Sequence, residues 1–194
     1  MSSASITGED CFATLAELWC SPQDVEQTEL RERAEQLAEA LSERHPEVAA
    51  ALGRFLADPL AEEDYVELFE LDPKCALYLG SHTFEEPKTC AQSGVSDRNG
   101  YMIELQGIYR HFGLAPDPTE LPDYLPLMLE CVALTDGRAD PVRSKLICDF
   151  ILPFLPPMRG RLEELQSSYA SLLDATERLL QHEVEAQPTG DNRV

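Results

Sequence analysis

The sequence has few basic residues and no long apolar run. Lys and Arg together number 15 against 36 Asp and Glu, which gives a net charge of -21. Because binding to phosphates needs clustered Lys and Arg, this balance argues against a nucleic-acid partner and against anionic membranes. No run of 18 apolar residues occurs, so no membrane-spanning helix is predicted. The first ten residues, MSSASITGED, do not resemble a secretory signal, and we expect a cytoplasmic protein.

Motifs for catalysis, metal binding and nucleotide binding are also missing. The sequence contains no C-x-x-C pair, no H-E-x-x-H, no G-x-G-x-x-G and no phosphate-binding loop. Its six cysteines are at least nine residues apart and are predicted to be reduced, mostly buried thiols. A metal site shared by His82 and His111 is a weaker alternative. We therefore predict a binding protein with no catalytic residue, no metal and no stably bound cofactor.

Leucine is the most informative residue that is present. There are 28 Leu against 13 Val plus Ile, and no sustained alternation of apolar and polar residues, which favours helices over strands. Capping residues followed by proline predict helix starts at Ser21-Pro22, Asp72-Pro73 and Asp140-Pro141. Gly113 and Gly137 are placed where helices should end. These signals predict one all-α domain with about eight or nine helices.

The predicted domain covers residues 1–185, and residues 186–194 are predicted to form a disordered tail. The segment 84–97 has no helical periodicity and is predicted to be a mobile loop. Helices are predicted near residues 9–20, 22–44, 47–57, 61–70, 73–82, 98–112, 122–135, 141–155 and 158–184.

Three segments together resemble a known family. YVELFE (Tyr65–Glu70) resembles the Y-x-x-L-F motif of the NarJ/TorD/DmsD redox-enzyme maturation chaperones. RNGYMIELQGIYRHFGL (Arg98–Leu114) and TELPDYLPLMLECVAL (Thr119–Leu134) are similar to the nitrate-reductase-type branch, whose hallmark is E-L-P-D-H-L-P. The resemblance covers roughly residues 55–183. One departure is Tyr124, which stands where the family usually has His and does not titrate near neutral pH.

The resemblance implies an all-helical bundle of the TorD/NarJ type that acts as a cytoplasmic chaperone and not as an enzyme. Such a chaperone binds the unfinished catalytic subunit of a molybdoenzyme, often through an N-terminal peptide such as a twin-arginine leader. It holds this client until molybdenum bis-molybdopterin guanine dinucleotide is inserted, and it is not part of the mature enzyme. We expect the client to be a dehydrogenase or an oxyanion reductase of the same superfamily.

The motif segments also suggest which residues bind the client. At the entrance to the helix after Pro122, we expect Asp123 to cap the helix. Glu120 and Tyr124 are then free to meet a guest, through a charge-assisted hydrogen bond to arginine and through apolar ring contacts. The full predicted set of client-binding residues is Tyr65, Leu68, Phe69, Glu70, His82, Arg98, Tyr109, Glu120, Leu121, Pro122, Asp123, Tyr124 and Glu130.

Two other functions remain open from the sequence. The protein is alternatively an acidic adaptor that joins two folded proteins without helping cofactor insertion, or a helical hydrolase with a carboxylate site. One interpretation of the acidity is that it favours a basic partner through electrostatic steering. The alternative interpretation is that it only keeps the protein soluble. The missing site motifs count against the hydrolase.

Overall fold

A computed structural model describes residues 7–58, 61–84, 97–138 and 140–186 as a bundle of α-helices without a strand in these ranges. The prediction of an all-α fold is confirmed. The helices are α1 (Gly8–Leu18), α2 (Gln27–Leu41), α3 (Pro46–Ala57), α4 (Glu62–Phe69), α5 (Asp97–His111), α6 (Leu125–Leu134), α7 (Pro141–Lys145), α8 (Leu155–Glu164) and α9 (Tyr169–Ala186). Short 3-10 turns lie at Leu79–His82 and Leu152–Phe154, and a π-helical turn at Leu146–Ile151 continues α7.

Several helix boundaries follow from the signals in the sequence. The Asp140 side chain accepts a hydrogen bond from the Val142 backbone N–H at 2.8 Å, and Pro141 occupies the first turn of α7. Gly113 and Gly137 follow the ends of α5 and α6 with φ values of 74° and 67°. This left-handed conformation suits glycine because it has no Cβ. These three predictions are confirmed.

Other predicted boundaries are wrong. Ser21-Pro22 begins a turn and not a helix, since α2 starts at Gln27. No α-helix follows Asp72-Pro73, because the backbone from Leu77 to Leu79 hydrogen-bonds with the chain before α6 and not with its own next turn. The predicted helix 158–184 is two helices. Gln166, with a φ of 54°, separates α8 from α9.

The predicted loop 84–97 and tail 186–194 lie mostly outside the described residues, which exclude 85–96 and 187–194. Their described ends differ slightly from the prediction. Asp97 is already the first residue of α5, and Ala186 is still the last residue of α9.

The hydrophobic core contains an aromatic cluster of five residues from four different parts of the chain. Its members are Trp19, Phe55, Tyr65, Phe69 and Tyr169. The Phe69 and Tyr169 ring centroids are 4.8 Å apart and the rings meet edge to face, a favourable geometry for aromatic pairs. The Tyr65 hydroxyl donates to the Trp19 carbonyl oxygen at 2.9 Å, so the buried hydroxyl has a partner.

Two helix pairs organise the bundle around this core. Helix α1 packs along α6, and α3 packs along α9. The first pair leaves a surface groove at its edge, and the second pair brings the start of α3 beside the last turns of α9. Within the described ranges, no helix is both long and apolar enough to cross a membrane.

Candidate functional site

The entrance to α6 is held by backbone pairing with a distant segment. Leu79 N–H donates to the Asp123 carbonyl oxygen at 3.0 Å, and Leu125 N–H donates to the Leu77 carbonyl oxygen at 2.9 Å. Tyr78 and Tyr124 lie between these bonds as an isolated antiparallel bridge, with ring centroids 5.4 Å apart. The prolines at this entrance are compatible with the arrangement because strand-like pairing replaces helical hydrogen bonds there.

Asp123 does not cap α6, so that prediction is wrong. The residue that precedes the helix is Tyr124, and it makes no side-chain cap. The Asp123 carboxylate is fully buried, and its Oδ2 accepts a hydrogen bond from the Gly80 backbone N–H at 2.9 Å. A Cβ at Gly80 would lie 2.7 Å from the same oxygen. The close contact therefore requires a glycine at position 80.

Burial makes Asp123 a weaker acid than an exposed aspartate. Desolvation raises its pKa above the ordinary value, while the Gly80 N–H and the positive charge of Arg98 oppose this shift. The Arg98 Nη2 atom is 3.9 Å from Asp123 Oδ2, which is too long for a hydrogen bond. Asp123 Oδ1 and Arg98 Nε are buried without a hydrogen-bond partner among the described residues. This buried site fastens the entrance of α6 to the Leu77–Gly80 segment.

A groove of about 530 Å³ runs between α1 and α6 and is named here the α1–α6 groove. Its apolar wall includes Ala13, Ala16, Leu114, Pro126, Leu127 and Leu134. Four acidic residues line its rim: Glu17, Asp117, Glu120 and Glu130. Leu134 is 48% exposed although it is a large apolar side chain. The groove thus offers an apolar floor beside concentrated negative charge.

The four rim acids differ in how far they are already engaged. Glu17 forms an ion pair with Arg33, and Asp117 accepts from the Thr119 backbone N–H at 2.8 Å. Glu120 accepts from the Tyr78 hydroxyl at 2.9 Å through Oε2, so the expectation that Glu120 is free is wrong for one of its two oxygens. Glu130 is exposed and has no hydrogen bond or ion pair with the described residues. Glu130 is therefore the most available acid.

The acidic residues of the rim contribute to the pKa of Cys20, one of the two thiols in the groove lining. Burial raises the pKa of Cys20 to about 11, and the charges of Glu17, Asp24, Glu130 and Glu120 add to this effect. Burial also raises the pKa of Tyr124, with a smaller contribution from Glu120. The same field that disfavours a thiolate favours a cationic side chain of a guest.

The sequence pattern of the nitrate reductase delta subunit family matches residues 23–147. The chain belongs to this family. The matched residues include most of the groove lining, from Tyr109 to Leu134, and the predicted resemblance is confirmed.

Curated relatives agree with the delta subunit family. The Escherichia coli (strain K12) protein named nitrate reductase molybdenum cofactor assembly chaperone NarJ is 34% identical over 140 residues, which cover 66% of this chain and 52% of that protein. A Bacillus subtilis (strain 168) protein named probable nitrate reductase molybdenum cofactor assembly chaperone NarJ is 32% identical over 112 residues, covering 57% of this chain and 54% of the relative. The chain spans about half the length of these relatives.

The delta subunit family hallmark supplies only part of the groove. Of the predicted client-binding residues, the structure brings Tyr109, Glu120, Tyr124 and Glu130 together in the lining. Tyr109 is buried and donates its hydroxyl to the Pro122 carbonyl oxygen at 2.6 Å. Leu121 is 46% exposed beside the rim, outside the lining itself.

The remaining predicted residues lie elsewhere. Tyr65, Leu68 and Phe69 are buried in the core with 1%, 6% and 5% of their surface exposed. Glu70 is exposed at the end of α4, and the His82 ring contacts the Ala76 carbonyl oxygen at 2.7 Å. None of these five residues lines the α1–α6 groove, and neither do Arg98, Pro122 and Asp123.

The wall contributed by α1 was not predicted from the sequence. Ala13, Ala16 and Glu17 are spaced by three and one, which places them on one face of α1, and Cys20 follows just after the helix ends. Small residues on this face keep the groove open, since larger ones would fill it. This run of small residues beside one acid is a signal that the sequence does contain.

Proposed function

We propose that the protein is an assembly chaperone for a molybdenum-containing oxidoreductase. It binds the unfinished catalytic subunit in the cytoplasm, holds it while the molybdopterin guanine dinucleotide cofactor is inserted, and then releases it. Membership of the delta subunit family and the names of the NarJ relatives support this proposal. The client is the catalytic subunit of a nitrate-reductase-type enzyme, whether a reductase or a dehydrogenase.

The observation that carries the proposal is the α1–α6 groove with its acidic rim. Ligand pockets typically measure about 300–1,000 Å³, and the groove of about 530 Å³ falls in this range. An amphipathic helix binds such a groove through its apolar face. Its basic residues then reach the rim, where Arg forms strong charge-assisted hydrogen bonds with carboxylates.

The guest segment that we propose is the N-terminal peptide of the client, which is a twin-arginine leader when the client is exported. Apolar side chains of this peptide contact Leu127 and Leu134, and an arginine pairs with Glu130. A second basic residue reaches the oxygen of Glu120 that Tyr78 leaves unoccupied. The proposal needs no catalytic group in the chaperone, because binding of the peptide by the chaperone is enough to delay export or complex formation.

The test is capture of the client by the tagged, full-length protein in cells starved of molybdenum. We expect the wild type to retain a catalytic subunit that contains no molybdenum by metal analysis. The variant Glu120→Gln/Glu130→Gln should retain much less of it. The matched control Glu32→Gln/Glu63→Gln changes the net charge equally at two exposed positions outside the groove and should behave as the wild type.

The same experiment separates the chaperone from the acidic adaptor. An adaptor retains the mature, molybdenum-loaded enzyme as readily as the empty subunit. Equal capture of both forms would therefore overturn the proposal. So would full molybdenum occupancy of the client in cells that lack the protein.

A further inference from the structure

A second cluster of chemically active side chains lies where α3 meets α9, outside the α1–α6 groove. His45 immediately precedes α3, Glu47 is in the first turn of α3, and His182 is in the last part of α9. The three side chains are partly buried and come from positions up to 137 residues apart in the sequence. Neither the delta subunit motifs nor the groove accounts for this convergence.

The geometry of the cluster is close. His182 Nε2 is 2.6 Å from Glu47 Oε1, and the His45 and His182 ring centroids are 4.3 Å apart. One ring nitrogen of each histidine and one oxygen of Glu47 all lie within 4.8 Å of one another. The His45 ring makes no hydrogen bond with the described part of the chain, so a nitrogen lone pair is available.

We propose that His45, Glu47 and His182 form a binding site for a borderline divalent metal ion, such as zinc. Two imidazole nitrogens and one carboxylate oxygen are a ligand set that zinc uses when water completes the tetrahedron. Magnesium and calcium prefer sites made entirely of oxygen, so the two histidines select against them.

The three side chains need only a small adjustment to bind the ion. Metal bonds of about 2.0–2.1 Å in a tetrahedron place neighbouring ligand atoms roughly 3.3 Å apart. The ligand atoms lie within 4.8 Å of one another. A pair at that limit must therefore approach by about 1.5 Å, which partly exposed side chains achieve by rotation. Glu185 Oε2 is 3.8 Å from His182 Nδ1, on the other side of the ring from Glu47. This distance is too long for a hydrogen bond, but rotation of the exposed Glu185 side chain would let its carboxylate accept from Nδ1–H and so orient a histidine that coordinates metal through Nε2.

The location of the site gives the metal a structural consequence. Its ligands come from the start of α3 and from α9, so the ion connects α9 to the first half of the bundle. The Arg54–Asp174 ion pair, with 3.1 Å between Nη2 and Oδ2, joins the same two helices further along. A bound metal stabilises the folded protein because the unfolded chain does not hold the three ligands together.

The test uses the full-length protein after treatment with a chelator and removal of that chelator. We expect zinc to bind with a stoichiometry of one in titration calorimetry and to raise the melting temperature. His45→Gln and His182→Gln should each weaken zinc binding at least tenfold and abolish the rise in melting temperature. Both variants change partly exposed side chains, and their melting temperatures are also measured without metal to check that they fold.

The control and the cobalt spectrum make the test specific. His111 also pairs with one carboxylate, since its Nε2 is 2.7 Å from Asp140 Oδ2, and His111→Gln should bind zinc as the wild type does. Cobalt bound at the proposed site gives visible bands without sulfur-to-cobalt charge transfer. Unchanged zinc affinity in His45→Gln and His182→Gln would overturn the proposal, because it would show that no zinc binds at these residues. A sulfur-to-cobalt charge-transfer band would also overturn it, because it would show that the metal binds a cysteine.

Discussion

The two motif segments Tyr65–Glu70 and Glu120–Pro126 resemble each other in composition, but their tyrosines lie in different environments. Each combines a tyrosine, acidic residues and leucine. Tyr65 and Phe69 are four residues apart on α4, so both rings point to the same side and enter the aromatic core. Glu120 and Tyr124 precede a helix and lie at the rim of the α1–α6 groove.

This difference teaches that a family motif mixes two kinds of residue. Tyr65, Leu68 and Phe69 fill the core, where a change alters the stability of the whole bundle. Glu120, Tyr124 and Glu130 border a groove, where a change alters what the groove holds. Burial separates the two kinds, and the motif alone does not.

The largest effect on stability is expected from the segment Tyr65–Glu70, whose aromatic rings lie in the core. Phe69→Ala removes a buried ring that contacts Trp19, Tyr65 and Tyr169, and it should lower the free energy of unfolding by about 3–5 kcal/mol. Urea unfolding measures this change. Tyr124→Ala, at the half-buried rim, should cost clearly less. Equal destabilisation by Tyr124→Ala and Phe69→Ala would contradict the proposed difference between the core and the rim.

A smaller, pH-dependent effect on stability is expected at Asp123, which is buried within the second segment. Its folded-state pKa is raised, so the folded protein holds the proton more tightly than the unfolded chain. The stability contributed by this group is present below the ordinary value of 3.8 and is lost as the pH rises through the folded-state pKa. Each unit of elevation corresponds to about 1.4 kcal/mol.

The measurement for Asp123 is the free energy of unfolding of the wild type and of Asp123→Asn at several pH values from about 3.5 to 7. Asn does not titrate, so the wild type should lose stability relative to Asp123→Asn as the pH rises. A wild type that gains stability relative to the variant over this range would mean that Arg98 stabilises the ionised form more than burial disfavours it.

The smallest effect on stability, and a selective effect on binding, is expected at the rim. Glu130→Gln should weaken client-peptide binding by about 1.5 kcal/mol, the low end for a charge-assisted hydrogen bond, which is roughly tenfold in Kd. Glu120→Gln should weaken it less, because Tyr78 already occupies one oxygen. Both should change stability by no more than about 0.5 kcal/mol. Calorimetric titration with the client peptide measures these affinities, with Glu32→Gln as the control. Equal affinities of Glu130→Gln and the control for the peptide would exclude Glu130 as a contact.

Local signals made the fold largely predictable from the sequence. Leucine spacing, the Asp140-Pro141 cap and the glycines at 113 and 137 act within a few residues, and the structure follows them. Ser21-Pro22 and Asp72-Pro73 carry the same kind of signal but do not start α-helices. After the second pair, hydrogen bonds of Leu77 and Leu79 with residues 48 and 44 positions away compete with the local preference.

The candidate site was less predictable because it depends on how helices pack. The hallmark led to Glu120, Tyr124 and Glu130, but the facing wall on α1 comes from more than 100 residues earlier. The role of Asp123 was mistaken for the same reason, since its partner, Gly80, is 43 residues away. Sequence spacing describes one helix at a time and not the space between two helices.

The fastening of the Leu77–Gly80 segment to the entrance of α6 also has a consequence for the order of folding. The contacts from Tyr78 to Glu120 and from Gly80 to Asp123 close loops of 42 and 43 residues, which costs chain entropy before any contact forms. Helices α5 and α6 form their own hydrogen bonds without this closure. We therefore expect the rim of the groove to be completed late, after both helices exist, so that a newly made chain acquires its binding surface only when its fold is nearly finished.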